Sequence, residues 1–253
     1  NQLIHEFKQE FETQFEMFFQ KLILAATSYH FSESLSTQTK QSFPEHLTNI
    51  FLNYFLIVLF NLDFSVIGNQ IKEKIGMLFF HFQNNRIHIQ SKTILIDLLL
   101  KIVNTYHFYD LYDEINNYYN ICSKLELLYN DLKNKTSHGS SNRHRFDDNI
   151  DSDIEILLNS KENHQNDFFY QYILGLYFFQ DKKYEMAENY LQRAFKLDCP
   201  ESIKMKKYVN YIRLLHRLNK KQEYMKIYIE APSDIKENPD FKEYMAQIGL
   251  GSS

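Results

Sequence analysis

The sequence predicts an all-α fold built of antiparallel helical hairpins, and three observations carry that reading. Six Gly and four Pro in 253 residues leave few turn signals, which suits long helices on short connections and not a many-stranded sandwich. Apolar residues recur at three- and four-residue steps through most of the chain. Tyr170–Pro200 (YQYILGLYFFQDKKYEMAENYLQRAFKLDCP) reads as one complete helix-turn-helix unit.

Residues 1–132 are expected to form an N-terminal helical array. Leu3, Phe7, Phe11, Phe15, Phe18, Phe19 and Leu22 mark the apolar face of a first helix, with Glu6, Lys8, Glu10, Glu12 and Glu16 on the other. Ser28–Ser42 is rich in Ser, Thr and Gln, and Pro44 suits the first turn of the next helix. That helix, Glu45–Leu62, contains IFLNYFLIVLF and is apolar nearly all round. Its strictly apolar part is shorter than the roughly 20 residues a bilayer requires, and Asn53 interrupts it, so a buried central helix is expected rather than a membrane span. A helix over Asn69–Phe82 ends at a turn marked by Asn84-Asn85. Gln90–His107, with Ile94, Leu95, Leu98, Leu99, Ile102 and Val103 on one side, then pairs with Tyr109–Leu132 through Leu111, Ile115, Tyr118, Tyr119, Cys122 and Leu125.

Residues 133–165 are expected to be a flexible linker, with Lys133–Asp153 a mobile surface loop and Ile154–Leu158 a short helix. His138, Arg143, His144 and Arg145 are followed at once by Asp147, Asp148, Asp151 and Asp153, a self-neutralising, solvated pattern. In residues 166–248, Leu174-Gly175 puts a small residue where two helices cross, and Phe178, Ala187, Leu191 and Ala194 face one seam. Tyr184 fills the hole beside the turn and Pro200 stops the second helix. This spacing is tetratricopeptide-like except at Gln171, where the repeat usually carries an aromatic, so the hairpins are expected to stack as a tetratricopeptide-like solenoid. Further helices are expected at Ser202–Leu218, from Tyr224 to Glu230 before Pro232, and at Phe241–Ile248 as a terminal cap, with 249–253 a frayed tail.

Composition narrows the function. The 22 Phe and 18 Tyr with no Trp, beside many Asn, Lys and Ile, fit a bias toward AT-rich codons, so the aromatics alone do not signal a ligand cage. A net charge of −4 gives no global basic footprint for nucleic acid. Cys122 and Cys199 sit among apolar residues in a helical pattern and read as buried free thiols, which fits a reducing intracellular compartment, nucleus or cytoplasm. Asn1 in place of an initiator Met predicts a fragment or a processed form. No CxxC, HExxH or paired Cys/His cluster points to a metal. No Gly-rich phosphate loop or GxSxG points to catalysis, and Asp97, Asp110, Asp113 and Glu114 read as solvated helix residues. The expectation is a non-enzyme without cofactor.

The helix at Ser202–Leu218 and its C-terminal flank concentrate Lys204, Lys206, Lys207, Arg213, His216, Arg217, Lys220 and Lys221, while Tyr208, Val209, Ile212, Leu215 and Leu218 can enter the core. Lys204, Lys207, Arg213 and Arg217 are therefore the candidate partner-binding residues, suited to an acidic partner.

From Lys92 to Gln222 the order of elements resembles the helical-repeat half of PCI-domain proteins, in particular the PCI subunit of the nuclear mRNA-export complex and its signalosome-associated paralogue. A tyrosine-rich turn precedes the repeat, with Tyr172/Gly175, Ala187-Glu188, Leu191 and Ala194-Phe195 at the family's positions and Lys204–Lys207 at its lysine-rich helix start. Nothing after Tyr224 resembles the family's winged helix, so its nucleic-acid-binding role is not carried over. The resemblance implies a non-catalytic scaffold subunit of a multisubunit complex, in nuclear mRNA export or transcription, docking a larger helical subunit and a small acidic one. The residues by themselves equally fit a generic tetratricopeptide adaptor that holds a peptide or helix, such as a transcription-factor or kinetochore subunit or a secreted bacterial effector.

Overall fold

The computed structural model describes residues 64–83, 85–105, 107–137 and 148–249. The helices expected at Leu3–Leu22 and Glu45–Leu62, the stretch Ser28–Ser42, the centre of the 133–165 segment and the last residues of the tail lie outside them. The chain divides into two compact units, residues 1–77 and 78–253. The first contributes only the start of α1 (Phe64–Phe82) to the described residues. The second holds α2 (Ile89–Thr105), α3 (Tyr109–Ser137), α4 (Asp148–Asn159), a 3₁₀ turn (Lys161–His164), α5 (Phe168–Gln180), α6 (Tyr184–Lys196), α7 (Glu201–Arg217), α8 (Lys221–Glu230), α9 (Ser233–Glu237) and α10 (Pro239–Gln247). All regular structure among the described residues is helical.

Three hairpins, α2–α3, α5–α6 and α7–α8, are closed by the same three-residue turn. Two positions past the end of each first helix stands a residue in the left-handed region: His107 (φ 57°), Lys182 (φ 61°) and Asn219 (φ 57°). The amide after each reaches back five residues, Phe108 N to Val103 O at 3.0 Å, Lys183 N to Phe178 O at 2.9 Å and Lys220 N to Leu215 O at 2.9 Å. This is the Schellman arrangement, which satisfies the last carbonyls of the helix, and here it does so without glycine. One further residue turns the chain and the next helix starts.

Helix α5 lies at the centre. Phe168 through Gly175 are all buried, as are Tyr177 and Phe178, because α3, α6 and α7 each pack against it. Phe168 stacks on Tyr172 with ring centroids 5.1 Å apart. Each such aromatic removed from water contributes about 1.5–3 kcal/mol, so this aromatic-rich stretch forms core and not a ligand cage. Helix α6 meets α5 with Ala187, Leu191 and Ala194, all 0–2% exposed. Gly175 sits at the crossing, where a Cβ would lie 2.6 Å from Leu191 Cγ and 3.1 Å from Leu191 N. Further along, Asn238 caps α10 by accepting from Asp240 N and Phe241 N, with Pro239 at the first helical position. Phe241 then enters the core and stacks on Tyr228.

Four local expectations are corrected. Helix α3 continues to Ser137 and α4 starts at Asp148, so 133–137 and 148–153 are helical, not mobile loop. Lys133 and Asn134 are exposed, and the sequence Lys-Asn-Lys-Thr-Ser offers little apolar pattern to announce this end of α3. Pro200 does not stop α6, which ends at Lys196; it is the N-cap residue of α7. Cys122 is buried and free as expected, whereas Cys199 is only half-buried and lies in the link between α6 and α7, outside any helix.

Candidate functional site

Asp167 precedes the apolar run that becomes α5, and its carboxylate caps that helix by accepting from Tyr170 N at 3.1 Å. The other oxygen, Oδ2, accepts from the Tyr118 hydroxyl at 2.9 Å and pairs with Lys92 Nζ at 3.4 Å. Lys92 is fully buried because it falls on the same stripe of α2 as Ile96, Leu99 and Val103, and it also donates to Gln83 O at 3.2 Å. Burial pushes the Asp167 carboxyl up, but Lys92, the Tyr170 amide and the Tyr118 hydroxyl together hold it below its usual range. Burial and the neighbouring Asp167 raise the Tyr118 phenol well above its ordinary value.

The segment leading into α5 is held just as closely. Asn85 donates to Asn166 O and accepts from Phe168 N, both at 2.9 Å. The His164 ring is stacked between Tyr118 and Tyr170, with centroids 5.7 and 5.2 Å away. Burial lowers its pKa. Gln171, at the position where a repeat aromatic was expected, is fully buried and donates to His164 O at 3.1 Å, so it ties α5 to the 3₁₀ turn. Its Oε1 has no hydrogen-bond partner among the described residues.

Above this cluster opens a cleft of about 1220 Å³ between α3 and the α4–3₁₀ segment. Carboxamides recur along its walls at Gln83, Asn117, Asn120, Asn159, Asn163, Gln165 and Asn166, beside the charged Glu114, Lys124 and Glu162 and the apolar Phe79, Ile121 and Ile156. Carboxamides both donate and accept, which suits the amide groups of a polypeptide. Asp167 forms part of the floor with both oxygens already committed, so it offers no free general base. Burial pushes the Cys122 thiol up to about 12, which leaves it protonated at neutral pH. No group of three or more His, Cys, Asp or Glu with metal-holding geometry occurs among the described residues. Asp97 pairs with Lys101 at 2.6 Å, Asp110 and Asp113 are exposed, and Glu114 is exposed at the cleft.

The four candidate partner-binding residues do not share one face. At about 3.6 residues per turn, Lys204 lies on the side of α7 away from Arg213 and Arg217, with Lys207 in between. Lys204 pairs with Glu201 at 3.2 Å and Asp234 at 2.8 Å. Lys207 donates to Leu197 O at 3.0 Å and lies over the rings of Phe195 and Phe168. The Arg213 guanidinium stacks 4.6 Å from the Tyr244 ring centroid, and Arg217 is exposed beside it. Lys220, just beyond the helix, pairs with Glu188 and Glu223.

Lys92, Asp167 and His164 were not among the candidates read from the sequence. Two signals were there: Lys92 sits on the apolar stripe of its helix, and Asp167 stands directly before an apolar run broken only by Gln171.

No protein-family model, curated protein or solved structure matches the chain. No helix among the described residues is long and apolar enough to cross a membrane.

Proposed function

We propose that this chain is a non-catalytic interaction scaffold in a multisubunit protein complex. The observation that carries the reading is the recurrence of one hairpin turn at His107, Lys182 and Asn219, which builds three similar helical hairpins in one chain. Stacked hairpins of this kind present long surfaces and inter-hairpin clefts to partner segments. The carboxamide-lined cleft and the exposed side chains of Leu127 and Ile229 are surfaces of that type. The motifs shared with PCI-domain proteins favour a nuclear complex in mRNA export or transcription, with the small acidic subunit approaching the cations of α7. A tetratricopeptide-like adaptor outside that family is the second reading, favoured by the polar cleft, whose chemistry is that of peptide capture.

The test is the assembly state of the full-length protein at its native concentration, by size-exclusion chromatography and mass spectrometry of tagged material. Co-elution with a fixed set of subunits in constant ratio is expected. Elution as the free chain across physiological salt would overturn the scaffold reading.

A further inference from the structure

Helix α6 has two working faces. Ala187, Leu191 and Ala194 meet α5, and Met186, Asn189, Tyr190 and Arg193, roughly a fifth to a half of a turn around, line a separate pocket of about 440 Å³. Leu158 at the end of α4 and Lys161 at the start of the 3₁₀ turn complete it. The chain splits here between two cavities, since Glu162, the next residue, lines the large cleft instead.

Two features mark this pocket out. Lys161 Nζ lies 5.9 Å from the Tyr190 ring centroid, yet among the described residues neither Lys161 nor Arg193 lies within ion-pair distance of a carboxylate. The cations Lys204 and Lys220 are paired with acidic side chains and Lys207 is taken up by a carbonyl and two rings, so part of the charge of α7 and its flank is spent inside the fold, while Lys206 and Arg217 stay exposed. Beside the two uncommitted cations, Met186 remains 40% exposed, although it stands on a wall shared with buried Tyr190.

We propose that this pocket binds a segment of a protein partner in which an acidic residue stands next to a large apolar one. The carboxylate would lie between Lys161 and Arg193, and the apolar side chain would cover Met186, Leu158 and the Tyr190 ring. Size and charge favour this occupant over nucleic acid: the pocket accommodates one or two side chains, and two cations on a chain of net charge −4 fall short of the several phosphate contacts that nucleic-acid affinity needs. The proposal rests on the scaffold reading and names one of its contact points. It also moves the acidic partner from the α7 face to the α4–α6 junction.

The test uses the full chain and a fluorescein-labelled peptide, Gly-Ser-Asp-Leu-Glu-Phe-Gly-Ser, followed by anisotropy. Saturable binding with Kd below about 1 mM is expected. The Lys161→Glu/Arg193→Glu double variant should weaken it at least about tenfold, as should Met186→Asp, while Lys206→Glu on exposed α7 surface leaves it unchanged. Peptides with Asn and Gln for the acids, or Ser for the apolar residues, should each lose about tenfold. If the double variant unfolds by circular dichroism, Lys161→Gln/Arg193→Gln takes its place. Absence of binding, equal binding of the neutral peptide, insensitivity to both double variants, or preferential binding of a ten-nucleotide uridine oligomer would each overturn the proposal. A chain that refuses the peptide but stays in its native assembly refutes the pocket alone; a chain found free in its cells refutes the scaffold.

Discussion

Gly175 and Leu191 meet so closely that a Cβ on the glycine would lie 2.6 Å from Leu191 Cγ and 2.7 Å from its Cδ2. Leu191 is 2% exposed and its backbone nitrogen is only 3.1 Å from the same point, so neither side chain nor helix has room to retreat. Gly175→Ala is therefore expected to destabilise the protein by about 1–3 kcal/mol in urea unfolding, despite the better helix propensity of alanine. The double variant Gly175→Ala/Leu191→Ala should cost less than the sum of its parts, because the smaller partner makes space. Strict additivity would show that the crossing is not set by this contact.

The Lys92–Asp167 pair predicts a second non-additivity. Asp167→Ala strips a fully buried lysine of its counter-ion and leaves α5 uncapped, which should cost about 3–5 kcal/mol. In Lys92→Met/Asp167→Asn the asparagine keeps the cap and no buried charge is orphaned, so most of that stability should return. Chemical denaturation of the three proteins at neutral pH decides the matter; a double variant as weak as Asp167→Ala would refute the coupling.

Acid should act on this region in two windows. His164 has a lowered pKa in the fold, so its contribution is present above its ordinary value of 6.5 and is lost as pH falls toward the folded value, while the unfolded chain takes up the proton first. Asp167, also lowered, contributes above its ordinary 3.8 and loses that contribution as pH falls through its folded pKa. His164→Phe preserves the ring stack and cannot protonate. Its unfolding free energy should fall less steeply than the wild type's just below pH 6.5, while the Asp167 window moves slightly upward, because the His164 charge is one of the groups that hold that carboxyl down. Parallel slopes for the two proteins would remove His164 from the account.

Lys182 and Asn219 occupy the same left-handed position in two hairpins, and this backbone costs an ordinary L-residue about 1–2 kcal/mol. Lys182→Gly should stabilise by roughly 0.5–1 kcal/mol, and Asn219→Gly by less, because asparagine tolerates this conformation. Thermal midpoints of the two variants give the ranking. The reverse order would mean that the Lys182 side chain contributes a contact beyond its backbone.

What the sequence disclosed and what it hid follow from range. The α2–α3 and α5–α6 hairpins, the separate helices α7 and α8, Gly175 and the seam of Ala187, Leu191 and Ala194 were legible because local periodicity and one small residue encode them. The polar ends of the 133–165 segment misled, since an α-helix can run on through polar residues that carry no apolar pattern. The cluster under the cleft was hidden because its members are far apart in sequence: Lys92 meets Asp167 across 75 residues and Tyr118 meets it across 49. The division of the α7 cations between internal partners and solvent depended on Asp234 and Tyr244, which only the packing of α9 and α10 brings near.

The shared hairpin turn also sets the order in which the second unit assembles. A three-residue link lets paired helices find each other with little loss of chain entropy, whereas the Lys92–Asp167 clasp must wait until two such pairs have met across a long stretch of chain. Contacts made that late lie on the native side of the folding barrier. Weakening the clasp should therefore speed unfolding far more than it slows folding, and the α2–α3 pair should part from α5–α6 with each hairpin still closed.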